Sequence, residues 1–425
     1  MAKYQLRIET SEFKKSLDMF STVINKKNAL PILADACIRY DRERKLFTMT
    51  ATNTEQWLQI ECWRRDERAD GGWQRWMFHD SQNKEDDRQQ PLEAFCVNVD
   101  AFREAFSQIP TMPATCFLTL DESGGLLRVT YGKGEFTLPV ESALEYPPMP
   151  AVIEKDGEQK EGTQPLVKFS IETMRLLPTI IAARVCSAND ELRPVMNTVC
   201  LDCFHDHCIV VASDGHSLYR RNLDTGMGWL RYGEFGATES AKLLIPSQAM
   251  SALTKAFANA ETITVTADSH RIRFDSPDCI SLMTVAIEGK YPNYESVIPK
   301  DNQNRMTIDK ADLAATLRRI TIFSSEASNL CIMRRDGGQV ILSANDYDFS
   351  RNASEHIDII NDGECQLPDR FQMGFKISTM QKLIGCIATD NIIFEISDAS
   401  RAMLLKEEDR LSTLTLLIMP MLVNE

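Results

Sequence analysis

Two hydrophobic textures alternate along the chain. Short runs with apolar residues at every second position predict half-buried strands, and runs with apolar residues three and four apart predict amphipathic helices. The two follow one another in the same order six times, at a loose spacing of about seventy residues. Helices are predicted at 12–24, 100–109, 172–185, 247–259, 309–320 and 376–388. In the first, Phe13, Leu17, Phe20 and Ile24 make one apolar stripe and leave Lys14 and Lys15 off it. In the fourth, Met250, Leu253 and Phe257 face inward and Lys255 does not.

The six segments pair up. Three open at Tyr4, Val167 and Asn304, and each is followed by an alternating strand ending in Ala51-Thr52-Asn53, Ala212-Ser213-Asp214 or Ala344-Asn345-Asp346. The other three open at Phe95, Leu243 and Phe371 and lead to hairpins whose turns carry Asp and Ser. The pairs close on Glu145-Tyr146-Pro147, Lys290-Tyr291-Pro292 and Met419-Pro420. This predicts an α+β protein of three domains, 1–150, 151–300 and 301–425, each built from two β-α-β-β-β units.

Composition fits that count. With 425 residues and 43% hydrophobic, the chain can bury three cores of ordinary size. It shows neither a signal-like early apolar run nor a stretch long enough to span a membrane, which reads as cytoplasmic. Its twelve cysteines are scattered singly among apolar positions and are expected as reduced buried thiols. The formal net charge is −14, which repels nucleic acid as a whole, yet the six predicted helices carry eleven Lys/Arg against seven Asp/Glu. Several of those acids, Asp100, Glu172 and Asp309 among them, sit where a helix N-terminus holds them. An acidic chain with basic helices can face a polyanion on one surface without gripping it.

One segment, about 63–95, breaks the pattern. It is highly charged and holds Trp63, Trp73 and Trp76. It reads as a surface excursion, with a partner-binding appendage anchored by those rings as the sharper alternative. Cys200-x-x-Cys203-x-His205-x-His207-Cys208 invites a zinc reading, but the surrounding alternation predicts two strands joined by a turn at 204–207. Cys200 and Cys203 would then point to opposite faces, so no metal and no cofactor is expected. Asp214-Gly215-His216 lacks an accompanying nucleophile, and no phosphate-cradling glycine loop is present, so catalysis is not expected.

The segment ALPILADACIRYDRERKLFTMTATNTE, the pair ELRPVMNTVCLD and IVVASDGHSLYRR, the stretch MTVAIEGKYPNYESVIP and the terminal LLIMPM resemble the bacterial sliding clamp family, the beta subunit of DNA polymerase III. The resemblance runs in order over nearly the whole chain, except the tryptophan-containing excursion and the last residues, Asn424 and Glu425. It implies a head-to-tail homodimeric ring around duplex DNA, with helices lining the hole and antiparallel sheets outside. It also implies short-peptide partners, the replicative polymerase and the clamp loader.

By position it nominates Lys27 and Arg193 for DNA contact; helix placement adds Arg103, Arg175, Lys255, Arg318 and Lys382. The implied peptide groove would use Met196, Ser213, Gly215, His216, Ser217, Leu218, Pro246, Met250, Leu417, Ile418, Met419, Pro420 and Met421. The chain departs from the family pattern at Ser217, Leu422, Lys376 and Thr379. The implied dimer surfaces are Phe136 and Leu138 on one side, Ile322 and Phe323 on the other. A clamp paralogue of mobile-element type with specialised partners, or a zinc-dependent multidomain enzyme, stands as the alternative.

Overall fold

The computed structural model describes residues 4–24, 30–41, 46–63, 76–80, 94–108, 115–120, 125–150, 167–204, 207–224, 230–231, 240–361 and 365–423. The first segment pair forms β1 (Tyr4–Glu9), α1 (Thr10–Phe20), β2 (Asp35–Asp41), β3 (Leu46–Thr52), β4 (Gln56–Trp63), β5 (Trp76–Asp80), β6 (Ala94–Asn98), α2 (Val99–Ser107), β7 (Thr115–Leu120), β8 (Leu126–Tyr131) and β9 (Gly134–Ser142). The second forms β10 (Val167–Glu172), α3 (Thr173–Ala183), β11 (Thr198–Phe204), β12 (His207–Ser213), β13 (Ser217–Asp224), β14 (Leu230–Arg231), β15 (Ser240–Pro246), α4 (Met250–Ala256), β16 (Thr262–Ala267), β17 (Arg271–Asp275) and β18 (Ile280–Val285). The third forms β19 (Asn304–Asp309), α5 (Lys310–Ile320), β20 (Leu330–Asp336), β21 (Gln339–Asp346), β22 (Arg351–Asn361), β23 (Gln372–Lys376), α6 (Ile377–Ile384), β24 (Asn391–Ile396), β25 (Met403–Glu407) and β26 (Leu414–Ile418).

Local chemistry sets these boundaries. Asn98 caps α2 by accepting the Ala101 N–H at 3.0 Å, and Asp309 caps α5 by accepting that of Asp312 at 2.8 Å. The apolar stripe of α1 is buried as its spacing requires, with Phe13 edge-on to Phe106 of α2 at 4.7 Å. Asp268 and Asp398 close their hairpins by accepting backbone N–H groups two residues on.

The chain divides into two compact units, residues 1–174, 231–236 and 248–286 in one and 175–230, 237–247 and 287–425 in the other. The first holds a fourteen-stranded sheet in the order β14-β10-β16-β17-β18-β4-β3-β2-β6-β9-β8-β7-β1-β5, and the second a twelve-stranded sheet in the order β15-β11-β12-β13-β26-β25-β24-β19-β22-β21-β20-β23. Each unit contains one junction between consecutive segment pairs, and the two junctions have the same register. In the first, β4 pairs antiparallel with β18, setting Leu58 against Leu282 and Gln56 against Thr284. In the second, β13 pairs with β26, setting Tyr219 against Leu416 and Ser217 against Ile418. Each ladder runs one rung further, with the Val285 N–H on the Glu55 carbonyl at 2.8 Å and the Met419 N–H on the His216 carbonyl at 2.7 Å.

The charged excursion contributes β5, which adds to the edge of β1 from Ile8 opposite Trp76 to Tyr4 opposite Asp80. The third segment pair makes a related return, where the end of β22 turns back onto β19 at Ile359 and Asn361. Trp73 lies outside the described residues, as do the side chains of Trp63 and Trp76.

The Cys/His motif forms the predicted hairpin. Cys203 lies directly across from Cys208 with sulfurs 3.7 Å apart, while Cys200 packs on the opposite face with Ile209 and Val211. His205 lies outside the described residues, and among those described no three ligating side chains gather. Burial pushes the thiols of Cys186 and Cys331 up to about 12, which keeps them protonated and unreactive.

Asp35 is a buried carboxyl beneath Tyr146, whose hydroxyl donates to the Asp35 and Thr50 carbonyls at 3.0 Å. Burial raises its pKa to about 6, opposed by the Asn98 amide at 3.1 Å and reinforced by Glu141. The folded state therefore binds the proton more tightly than the unfolded chain. That gain is full below the unfolded value near 3.8 and is lost as pH rises through about 6. Asp35→Asn is expected to stabilise the protein by about 2 kcal/mol near neutral pH and to flatten the acid-side slope. Urea unfolding at several pH values checks this, and parallel slopes for the two proteins would contradict it.

Candidate functional site

The Ser213–Ser217 turn between β12 and β13 is closed by its own side chains. Asp214 Oδ1 accepts the N–H groups of His216 at 2.9 Å and Ser217 at 2.7 Å, and the Ser217 hydroxyl at 3.0 Å. The Ser213 hydroxyl donates to the Ser217 carbonyl at 2.8 Å and accepts the Gly215 N–H at 3.1 Å. Gly215 takes φ +89°, a conformation that a side chain would strain. The departure at Ser217 has a structural use: its buried hydroxyl helps lock the turn.

The C-terminal segment continues β26 along this turn and then leaves it. After Met419 hands its N–H to His216, Pro420 needs no acceptor, and the Met421 N–H reaches the Gly374 carbonyl of β23 at 2.8 Å. A Cβ on Gly374 would sit 2.8 Å from the Met421 carbonyl oxygen and 2.9 Å from Val423, so only glycine admits this crossing. Met419 is 40% exposed and Leu422 91%. Leu218 and Leu417, opposite one another, are buried in an apolar cluster with Leu244 and Tyr291, to which Val195 adds its partly buried side chain.

The 188–197 loop lies in the same unit and is tied by paired bonds between Asp190 and Asn197 at 2.8 and 2.9 Å and by the Ala188 N–H on the Met196 carbonyl at 2.8 Å. It displays Arg193, whose Nε donates to Asp190 at 2.8 Å. That guanidinium holds the Asp190 carboxyl below its usual range. Arg193 also flanks the turn, 3.8 Å from where a Cβ of residue 215 would lie.

Of the nominated groove residues, the backbone therefore brings Ser213, Gly215, His216, Ser217 and Leu218 against Leu417, Ile418 and Met419, with Pro420 and Met421 continuing to β23. Met196 and Pro246 are buried in the same unit, whereas Met250 is buried in the other. The display side is narrower than the nominated set: His216, Gly215, Met419 and Leu422 are exposed. Lys376 is exposed just before α6, and Thr379 is half-buried on it. Two residues that organise the site, Asp214 as its turn acceptor and Gly374 as its crossing point, were not nominated. The lone glycine inside the strand FQMGFK was the available signal.

The nominated cations divide. Arg175, Lys255, Arg318 and Lys382 are exposed on their helices. Arg103 instead donates to Asp18 of α1 at 2.9 Å and lies 3.5 Å from Asp100, so its charge is largely spent within the protein. Lys27 lies outside the described residues.

Residues 295–422 match the family model described as DNA polymerase III beta subunit, C-terminal domain, and residues 170–293 match the central domain of the same subunit; together they span more than half of the chain. The chain belongs to the DNA polymerase III beta subunit family. Among relatives, the beta sliding clamp of Pseudomonas aeruginosa is 21% identical over 95% of each chain, and that of Vibrio cholerae likewise 21% over 95% of each. The crystal structure of the Pseudomonas aeruginosa clamp superposes with a TM-score of 0.79 at 19% identity, covering 99% of this chain and all of that one. The Bacillus subtilis clamp gives 0.80 at 17% identity, covering both chains fully. The α+β fold of repeated domains is thus the family's fold.

The Gly374 crossing yields a direct test. Gly374→Ala is expected to displace the C-terminal segment, at a cost of about 1–3 kcal/mol, and to speed hydrogen exchange at Met421 while leaving the β13–β26 amides protected. Unchanged exchange at Met421 would show that the crossing tolerates a side chain.

Proposed function

We propose that this chain is a DNA sliding clamp whose three domains, at 1–150, 151–300 and 301–425, close head to tail with those of a second copy into a ring around duplex DNA. The observation that carries the reading is a third junction left open. Among the described residues, Gly134–Pro139 of β9 pair only with β8, and β22 pairs only with β21 until it turns onto β19. β9 lies on β8 as β18 lies on β17, with Val129 opposite Phe136 where Phe274 is opposite Leu282. β22 lies on β21 as β4 lies on β3, with Ala344 opposite Ala353 where Ala51 is opposite Leu58. One chain thus carries both halves of a third junction, and among the described residues each half is left unpaired on that edge.

Transposing the register of the two closed junctions sets Phe136 of one copy against Ala353 of the other, Leu138 against Arg351 and Glu135 against Ser354. A large ring meeting a methyl group suits close packing. Ile322 and Phe323, 67% and 36% exposed on the short turn after α5, stand beside β22 to cover the joint. A heterologous contact of this kind closes at two copies when the rotation per chain is half a turn.

Retention of DNA is then topological. The exposed Arg175, Lys255, Arg318 and Lys382, with Arg193, face phosphate without reading bases, and the overall charge of −14 keeps the grip loose. The segment at Met419 and Leu422 offers flexible apolar side chains to short peptide motifs of the replicative polymerase and the clamp loader. The family is one of non-catalytic processivity factors, and this chain is not an enzyme. No described helix is long and apolar enough to cross a membrane.

The ring is tested with the double variant Glu135→Cys, Ser354→Cys. Oxidation is expected to give covalent dimers, and oxidation in the presence of closed circular duplex to give salt-resistant complexes that are released when the DNA is cut. Failure to cross-link would reject the register, and complexes that survive cutting would reject encirclement. Met419→Ala combined with Met421→Ala is expected to weaken binding of polymerase-type peptides about tenfold without altering dimer mass. Undiminished affinity in fluorescence anisotropy would remove the groove assignment.

A further inference from the structure

The open junction differs from the two closed ones at one end, and both differences lie in the described residues. In the closed junctions, the outermost rung is donated by Val285 to Glu55 and by Met419 to His216. The equivalent donor position on β9 is residue 139, since Leu127 faces Leu138 as Ile272 faces Thr284. That residue is Pro139, which has no N–H. The Val140 N–H bonds inward to the Gly125 carbonyl at 3.1 Å, so the neighbouring nitrogen of Pro139 faces the open edge where the rung should form.

The acceptor side differs as well. Four residues separate Thr52 from its cross-strand partner Trp57, and four separate Ser213 from Leu218, but six separate Asn345 from Asn352. The ladder runs one rung further here, to Asp346 opposite Arg351, before a four-residue turn that displays Tyr347 and Phe349, 84% and 69% exposed. It is a formed turn: Asp346 Oδ1 accepts the N–H groups of Asp348 at 3.2 Å and Phe349 at 3.4 Å, and Arg351 lies over the Phe349 ring at 5.2 Å. Ser350 takes φ +51° at the position equivalent to Glu55 and His216, one residue later than the left-handed Thr54 and Gly215 of the other two turns. In the first closed junction, the corresponding turn also touches the short turn that leads into α4, where the Gln248 side chain donates to Glu55 at 2.9 Å. The turn therefore reaches past the end of the ladder.

Building on the head-to-tail dimer, we propose that the Tyr347–Ser350 turn is an intersubunit latch that seats its two rings on the end of β9 in a second copy, around Pro139 and the 93% exposed Leu144. It replaces the hydrogen bond that proline removes. A backbone rung is exchanged for side-chain packing at the one junction that has to open for DNA to enter. The second copy is the occupant because the register inherited from the closed junctions carries this turn to that strand end.

The test is sedimentation analysis of the full chain, comparing wild type with Tyr347→Ala combined with Phe349→Ala, each also examined in the Glu135→Cys, Ser354→Cys background. Loss of the rings is expected to raise the dimer dissociation constant about tenfold while the cross-link still forms at high protein concentration. Adding Pro139→Val, which restores the donor, is expected to recover part of the lost affinity. A dissociation constant unchanged by removing the rings overturns the latch and leaves the dimer standing. A wild-type chain that stays monomeric and does not cross-link overturns the dimer itself, and the latch with it.

Discussion

An unpaired strand edge is the constraint around which this protein is arranged. A row of backbone N–H and C=O groups without partners is costly when buried and adhesive when exposed. Each first-half unit ends in a strand, β4, β13 or β22, whose outer edge its own domain leaves open over most of its length. The chain solves two of the three by setting β18 on β4 and β26 on β13 in one common register. Long sheets follow from that pairing, because every junction fuses the sheets on either side of it.

The site at the C-terminus is a by-product of the same pairing. Once β26 lies on β13, the next residue completes a rung on His216, and the chain must then cross to β23 to satisfy Met421. Proline at the crossing and glycine beneath it are what that path requires: one has no donor to place and the other has no Cβ to obstruct. The Met419 and Met421 N–H groups are thereby satisfied, and the side chains of Met419 and Leu422 are left exposed.

Electrostatics follow a similar division. A helix tally treats every Lys and Arg as available, but Arg103 is held by Asp18 and Arg319 is bound by Glu355 through bonds of 2.6 to 3.0 Å. Such pairs orient the helices and contribute little outward field. Arg318, Lys255 and Lys382 remain exposed on their helices.

The six helices, their apolar faces, the threefold doubling of the unit and the hairpin at Cys203–Cys208 were all legible in the sequence, because each rests on short-range periodicity and turn chemistry. The tertiary structure decided what periodicity cannot encode. It showed that Arg103 is consumed by an acid 85 positions away, and that β5 of the charged excursion joins the edge of β1. It also showed that Leu218 and Leu417 are cluster floor while Met419 is display, and that Gly374 is the residue a crossing strand depends on. Alternation predicts that a strand exists and which residues share a face. Which other edge that strand meets, and in what register, is settled only when distant segments come together, because backbone groups are the same at every position and carry no address of their own.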